Sequence, residues 1–384
     1  MRAATPATGP TGRRAPGPAP SEALIAAQRL AAQQIAHRAF SKPAELVAWM
    51  GAIQAQEPLA ARWALGLRLG GRGAAAGADA IEAALADGSV LRTHVFRWTW
   101  QLVTPADLHW MLPLVAPRLM ARAARRHREL ALDVETFRKA EAALTRALGD
   151  GAHRTRAELG AALRAAGVVP DGQRLPHLLG HAELQGLICS GAPRAKQATW
   201  ALLARRAPRT GALLERDEAL AELACRYFRS RGPATAADFA WWSGLAPADA
   251  RTGLAAAASE LASESIAGVT YWRARQAPRV PPAALAEAYL LPAFDEYLVA
   301  YRDRSAVLSP GDARRINAGG GLLAPTIVVG GRVVGTWRRT LGRGVVTIAL
   351  SLFGKPAPRE RDRIVAAAER YGAFLGLEAR IVLT

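Results

Sequence analysis

The 384-residue chain carries 50 lysine and arginine residues against 32 aspartate and glutamate residues, a formal net charge of +18. A chain this long buries a core without disulfide or metal support, no apolar run approaches the ~20 residues that a membrane span needs, and the first 20 residues lack the apolar middle of a secretory signal. The two cysteines, Cys189 and Cys225, stand at neither metal-ligand nor redox spacing and read as buried thiols of a reducing compartment, the cytoplasm.

A positive excess of this size favours a polyanionic partner through counterion release. All but four of the basic residues are arginine, the side chain suited to bidentate phosphate and base contacts. The alternative is that an Ala/Arg/Gly-rich composition reflects only the base composition of the coding DNA.

Residues 1–20 form a Pro/Ala/Gly/Thr tract with three arginines that cannot fold alone and is expected to be disordered. Residues 22–37 have a helical period, and a second helix opens at Pro43 with Leu46, Trp49, Met50 and Ile53 on one face. Pro58 disfavours the α conformation at Glu57, so this helix is expected to end near Gln56, with residues 54–58 opening into a turn. Residues 81–87 give a short helix stopped at Gly88. Residues 90–103, rich in β-branched and aromatic side chains, read as a strand or hairpin arm in which Arg97, Thr99 and Gln101 share a face. Thr104, Pro105 and Asp107 then supply a cap, a first-turn proline and a first-turn carboxylate for the next helix.

Two later stretches repeat one order of short helices followed by a two-stranded wing. In the first, residues 155–158 (Thr-Arg-Ala-Glu) form a capping box, helices end at Gly167 and span 175–186, and a wing strand lies at 199–203. In the second, residues 235–238 (Thr-Ala-Ala-Asp) open a helix closed at Gly244, Pro247 opens another running to Leu261, and a strand follows at 269–273. Short helices joined by small-residue turns are what helix-turn-helix packing requires, although the periodicity also fits any compact α-rich domain. The last segment changes character: 327–337 reads as a β-hairpin turning at Gly330-Gly331, 345–350 as a further strand, and 358–376 as an amphipathic closing helix. Eight basic residues against the single acid Asp312 between Arg304 and Lys355 give this sheet a positive surface. The expected fold is mainly α with small β elements: winged-helix units at 21–149, 150–212 and 213–283, then a C-terminal β element at 284–384.

Few constellations carry chemistry. All seven histidines lie at or before His181, none at metal-protease spacing, and His177 and His181 read as a satisfied pair on a helix surface. No metal or other cofactor is expected. The segment 330–335 lacks the Lys-Ser or Lys-Thr of a phosphate loop and is a hairpin, Gly319-Gly320-Gly321 is a turn, and no nucleophile elbow is present. What remains is the amide pair Gln54 and Gln56, close in sequence to Arg62 and Arg68, with the Arg97–Gln101 strand as a neighbour. On spacing alone these glutamines read equally well as surface polar residues.

Five ordered segments carry a further reading: 52–58 (Ala-Ile-Gln-Ala-Gln-Glu-Pro), 91–103 from Leu-Arg-Thr to Arg-Trp-Thr-Trp-Gln-Leu-Val, 239–245 (Phe-Ala-Trp-Trp-Ser-Gly-Leu), 291–297 (Leu-Pro-Ala-Phe-Asp-Glu-Tyr) and 333–339 (Val-Val-Gly-Thr-Trp-Arg-Arg). Together, from residue 22 to the end, they resemble the winged-helix DNA-binding-domain family that contains the AlkZ-like DNA glycosylases. The resemblance implies tandem winged helices in a C-shaped arrangement around double-stranded DNA, and a Gln-apolar-Gln catalytic motif that Gln54 and Gln56 match. It also implies base release from cationic alkylated purines such as N7-alkylguanine or N3-alkyladenine, including interstrand crosslinks, by a monofunctional enzyme; the oligomeric state is left open, although tandem modules can encircle DNA as a monomer. A cationic leaving base needs no proton, so neutral amides suffice where other glycosidases use carboxylates. Arg62, Arg92, Arg97, Thr99, Gln101, Arg338 and Arg339 are then expected on DNA, and Trp337 beside the lesion. Trp98 and Gln101 stand where relatives carry Gly and His. Glu57 competes with the amides as a general base, and a non-catalytic transcription regulator or a protein that sequesters a genotoxic small molecule are the other readings of the same residues.

Overall fold

The structure, a computed structural model, describes residues 20–71, 74–195, 197–211, 213–278, 280, 285–317, 319 and 323–384. The tract at 1–19 and the Gly320-Gly321 part of the glycine turn lie outside the described residues. The fold is a mixture of helices and small sheets. Its first part runs through α1 (Pro20–Ala32), α2 (Pro43–Met50), β1 (Ile53–Gln54), α3 (Pro58–Arg68), α4 (Ala74–Asp87), β2 (Leu91–His94), β3 (Trp100–Val103) and α5 (Pro105–Glu129). There follow α6 (Val134–Leu148), β4 (Arg154–Thr155), α7 (Arg156–Ala165), α8 (Arg174–Leu184), β5 (Ile188–Ser190), β6 (Thr199–Leu202) and α9 (Leu203–Arg206). Next come α10 (Arg216–Arg231), α11 (Ala236–Ser243), α12 (Pro247–Ala256), β7 (Leu261–Ile266) and β8 (Val269–Ala274). The C-terminal part holds β9 (Ala288–Leu291), α13 (Glu296–Val299), β10 (Thr326–Val329), β11 (Arg332–Leu341), β12 (Val345–Leu352), α14 (Pro358–Leu375) and β13 (Glu378–Leu383). Among the described residues no helix is long and apolar enough to cross a membrane.

Local chemistry accounts for the helix starts. Thr104 caps α5 by accepting the Asp107 N–H, and Thr155 and Thr235 close reciprocal boxes with Glu158 and Asp238 at α7 and α11. The Gly330-Gly331 turn has φ of +58° and +77°, the pair of left-handed residues that a tight hairpin needs, and it joins β10 to β11. Gly331 has a second reason to be glycine, because a Cβ there would meet Ala26 at 2.9 Å.

Among the described residues four sheets result: β1-β3-β2, β4-β6-β5, β7-β8 and the five-stranded β13-β12-β11-β10-β9. The terminal strand β13, which sequence periodicity does not reveal, adds in parallel to β12. Among the described residues three apolar cores bind these sheets to the helices. One joins α1 to α4 to the five-stranded sheet and α14, a second gathers α5 with α10 to α12, and the third packs α6 to α8 against β5 and β6. The N-terminal helices and the C-terminal sheet, more than 200 residues apart in sequence, therefore bury their apolar faces on each other.

The seam between these two chain ends also holds charge. Arg68, on α3, donates to both oxygens of Asp295 at 2.8 and 2.7 Å and to the Gln33 carbonyl at 3.0 Å, and both ionic side chains are fully buried. Leaving one such partner unpaired costs about 3–5 kcal/mol. Arg68→Ala is accordingly expected to lower the urea unfolding midpoint by that equivalent, and a midpoint within error of the parent would contradict the account of this seam.

Candidate active site

Gln54 is positioned by the end of α2. That helix, expected to run to Gln56, stops at Met50 because Gly51 turns the chain at φ +73° into the short strand β1. Gln54 thus lies on a strand, opposite Gln101 of β3, with the Ala55 N–H donating to the Trp100 carbonyl at 2.7 Å. A buried arginine and a buried glutamate hold the strand from behind. Arg231 donates to the Met50 and Ala52 carbonyls at 2.7 and 2.6 Å and to Glu296 Oε2 at 2.7 Å, while Glu296 Oε1 accepts the Gln54 N–H at 2.8 Å. Trp242 Nε1 completes the set by donating to Glu296 Oε2 at 3.0 Å. Sequence reasoning gave none of these three residues a role. The signal available was that Glu296 and Trp242 lie inside two of the five ordered segments.

The Gln54 side chain enters a cavity of about 630 Å³ that Arg97 and Thr99 also line. Arg97 Nη2 donates to Gln54 Oε1 at 3.0 Å. Because a guanidinium only donates, this contact fixes the amide with its oxygen toward Arg97 and its nitrogen away from it. Burial pushes the Arg97 guanidinium below its ordinary value, against the opposing pull of Glu296. Thr99 donates to the Phe96 carbonyl at 2.9 Å and accepts from Gln101 Nε2 at 2.8 Å, and the buried Gln101 Oε1 has no partner among the described residues. Trp241 lines the same cavity with 45% of its surface exposed, its indole held by a 3.1 Å bond to the Val299 carbonyl.

The strand face expected to be shared by Arg97, Thr99 and Gln101 is not formed. β3 begins only at Trp100, and Arg97 and Trp98 have φ of +55° and +59°. Left-handed backbone disfavours residues with a side chain, so a glycine, which the resemblance implies at this position, would fit it more easily. Here Trp98 is retained by packing: its indole lies against Gly180, and its ring centroid is 5.6 and 5.7 Å from those of His127 and His177. His177 and His181 are accordingly not a helix-surface pair. They turn inward, with both Nδ1 atoms buried and unpartnered, and His181 stacks on Phe137 at 3.8 Å.

The other expected site residues divide. Gln56 is exposed at the bend before α3, and its carbonyl accepts from Arg92 Nη2 at 3.5 Å. Glu57 caps α3, accepting the Leu59 and Ala60 N–H groups at 3.0 and 2.8 Å and Arg339 Nη2 at 2.9 Å, so both carboxylate oxygens are engaged. Arg338 is exposed on β11. Arg62 is instead tied to Glu82 on α4 and lines no part of this cavity. Trp337 is corrected outright: it is 1% exposed and donates Nε1–H to the Leu291 carbonyl at 2.8 Å, a core position that no DNA base reaches. The positive sheet surface is also reduced, because Arg332, Arg339 and Arg315 pair with Glu22, Glu57 and Asp312. Among the described residues no group of three His, Cys, Asp or Glu side chains is arranged to hold a metal ion.

Three comparisons bear on this site. A family model described as DNA glycosylase AlkZ-like matches residues 47–374. Among solved structures, the DNA glycosylase AlkZ of Streptomyces sahachiroi is similar with a TM-score of 0.73 and 22% identity, over 94% of this chain and 99% of that one. That degree of identity speaks for the fold alone. No curated protein matches the sequence.

The histidine cluster beneath Trp98 has a consequence for stability. Burial, then the neighbouring His127, depresses His181 to about 4, and its Nε2 lies 3.3 Å from Glu141. Neutral in the fold and ordinary when unfolded, His181 takes up a proton on unfolding at any pH between about 6.5 and about 4. Stability is therefore full above that window and falls as the pH drops through it. His181→Leu is expected to flatten this acid limb in urea midpoints compared at pH 7.5 and 5, and an unchanged slope would remove His181 as its source.

Proposed function

This chain belongs to the AlkZ-like DNA glycosylase family, and on that premise we propose that Gln54, which lines the cavity beside the β1-β3-β2 sheet, and Gln56, exposed at the bend outside that lining, release cationic alkylated purines from DNA. The protein is a DNA repair glycosylase, and its partner is DNA. The substrates we propose are N7-alkylguanine and N3-alkyladenine, including those tied into interstrand crosslinks. The observation that carries the reading is the Arg97–Gln54 contact, which orients a neutral amide in a cavity large enough for an extruded base.

In this mechanism the alkylated base leaves with the electron pair of the glycosidic bond and becomes neutral, so no acid is needed. The sugar left behind resembles an oxocarbenium ion. The second lone pair of Gln54 Oε1 faces that developing charge or accepts from the attacking water, and the free Gln56 amide anchors the same water or a phosphate. Arg97, Arg92 and Arg338 contact phosphates. Water adds to C1′ and its proton passes to solvent, which gives an abasic site without strand cleavage. None of the described lysines lines the cavity, in keeping with a monofunctional enzyme that forms no Schiff base. Tandem winged helices at 21–149, 150–212 and 213–283, with the β element at 284–384, wrapped as one monomer around the duplex, complete the proposal. The helix-and-hairpin order of α6 to β6 and of α10 to β8 supports it.

A carboxylate mechanism is the second reading, because Asp303 is the one acidic side chain among the described residues lining the cavity. Single-turnover release of N7-methylguanine from a duplex separates the two. Gln54→Ala and Gln56→Ala are each expected to slow release by about 10²-fold, with Glu57→Gln and Asp303→Asn close to the parent and a uracil duplex left intact. Loss of activity in either carboxylate variant, with both alanine variants active, would overturn the amide mechanism.

A further inference from the structure

A second cavity, of about 620 Å³, lies on the other face of the catalytic sheet. Strand alternation separates the two. The register sets Gln54 opposite Gln101 and Gln101 opposite Thr93, so these three side chains point one way, whereas Arg92 and the His94–Trp100 pair point the other. The second cavity is walled by Arg92, His94 and Trp100 from this sheet, by Trp200 from β6, and by the first turns of α7.

Its chemistry is that of a nucleotide site. The walls are aromatic and rigid: His94 and Trp100 lie 4.6 Å apart by ring centroids, and His94 Nδ1 and Trp200 Nε1 are both bound to the buried Glu183 carboxylate, at 2.5 and 2.6 Å. Among the described residues the lining also carries three arginines, Arg92, Arg156 and Arg164, and no acidic side chain. Arg164 is ion-paired to Asp171 at 2.7 Å, which leaves Arg92 and Arg156, and aromatic walls beside these two arginines suit a ligand that is aromatic at one end and anionic at the other. Arg92 is the most constrained of the three. Its guanidinium stacks 4.3 Å over Trp100, and its Nε donates to the Ala55 carbonyl at 2.9 Å, between the two glutamines. Burial lowers Arg92 to about 10, a desolvated cation that a phosphate would neutralise.

We infer that this cavity is a second nucleotide site, which takes a nucleotide other than the one cut, its base against Trp100 and Trp200 and its phosphate against Arg92 and Arg156. The bound nucleotide then touches the arginine that braces the Gln-Ala-Gln bend, so occupancy of the site bears on the catalytic pair. The same chemistry is offered by a nucleotide of the bound DNA strand and by a free mononucleotide. Only the choice of the strand rests on the glycosylase reading, since nucleotide binding is measured without base release.

The test uses the full chain and the deoxynucleoside monophosphate of 2-aminopurine, whose fluorescence is quenched by stacking on indole. Ala157→Phe fills the cavity from α7, and Arg156→Glu reverses a phosphate contact; both positions are exposed, so the core is left intact. Quenching by the parent, weakened about tenfold in each variant, supports the site. Displacement of the probe by undamaged duplex identifies the strand as the source, and retention of the probe with duplex bound identifies the free nucleotide. No quenching by the parent, or equal quenching by all three proteins, overturns the proposal. If the probe binds as expected but alkylated duplex is never cut, the glycosylase reading fails and the second site stands.

Discussion

Two consecutive carboxylates, Asp295 and Glu296, are fully buried, and each is ion-paired to a fully buried arginine from a distant part of the chain. Charges taken out of water are costly, and their mutual attraction offsets that cost only when the remaining lone pairs and protons are also satisfied. Here they are. Arg68 and Arg231 spend their other N–H groups on backbone carbonyls and neighbouring side chains, and Glu296 receives the Gln54 amide and the Trp242 indole as well. A network of this kind contributes little net stability compared with an apolar core of equal volume, but it permits only one arrangement. The arrangement it permits brings together residues near 50, 231 and 296, and the backbone of Gln54 is one of its hydrogen-bonded members.

The same economy of arginine tempers the meaning of the net charge. Arg29, Arg68 and Arg231 lie in the interior and bridge helices and loops, and several sheet arginines are neutralised by nearby carboxylates. Two further arginines, both largely buried, lie beside the β1-β3-β2 sheet. Arg97 and Arg92 approach it from opposite faces, and each reaches the segment between Gln54 and Gln56 through a hydrogen bond. In the proposed chemistry, a neutral amide that touches one cation, on a segment whose backbone is braced by another, suits the release of a cationic base only while a DNA phosphate is bound there to balance the charge. This is why the proposed chemistry and DNA binding belong to one surface.

Trp98 shows how a bulky side chain is accommodated on left-handed backbone. The turn from β2 to β3 needs left-handed backbone at two successive residues, a conformation that glycine adopts freely and tryptophan does not. The indole compensates by filling the groove between α5 and α8, against Gly180 and two histidines. It thereby ties the turn that carries Arg97 to the neighbouring helical unit. Those histidines are kept neutral by the burial that makes the groove a good seat for an indole.

Local signals in the sequence were enough to determine the caps at Thr104, Thr155 and Thr235, the Gly-Gly hairpin, the strands near 199 and 269 and the closing helix, because caps, turns and periodicity act over a few residues and are written in them. The ordered segments likewise identified the family and singled out Gln54 and Gln56. The tertiary structure alone decided that α2 stops at Met50 and that Gln54 sits on a strand, since the partner of that strand is some 47 residues away and its anchors, Arg231 and Glu296, lie farther still. It also decided that Trp337 belongs to the core and that Trp98 tolerates a glycine's conformation. Burial and long-range hydrogen bonding depend on which distant segments meet, and no local window of residues contains that information.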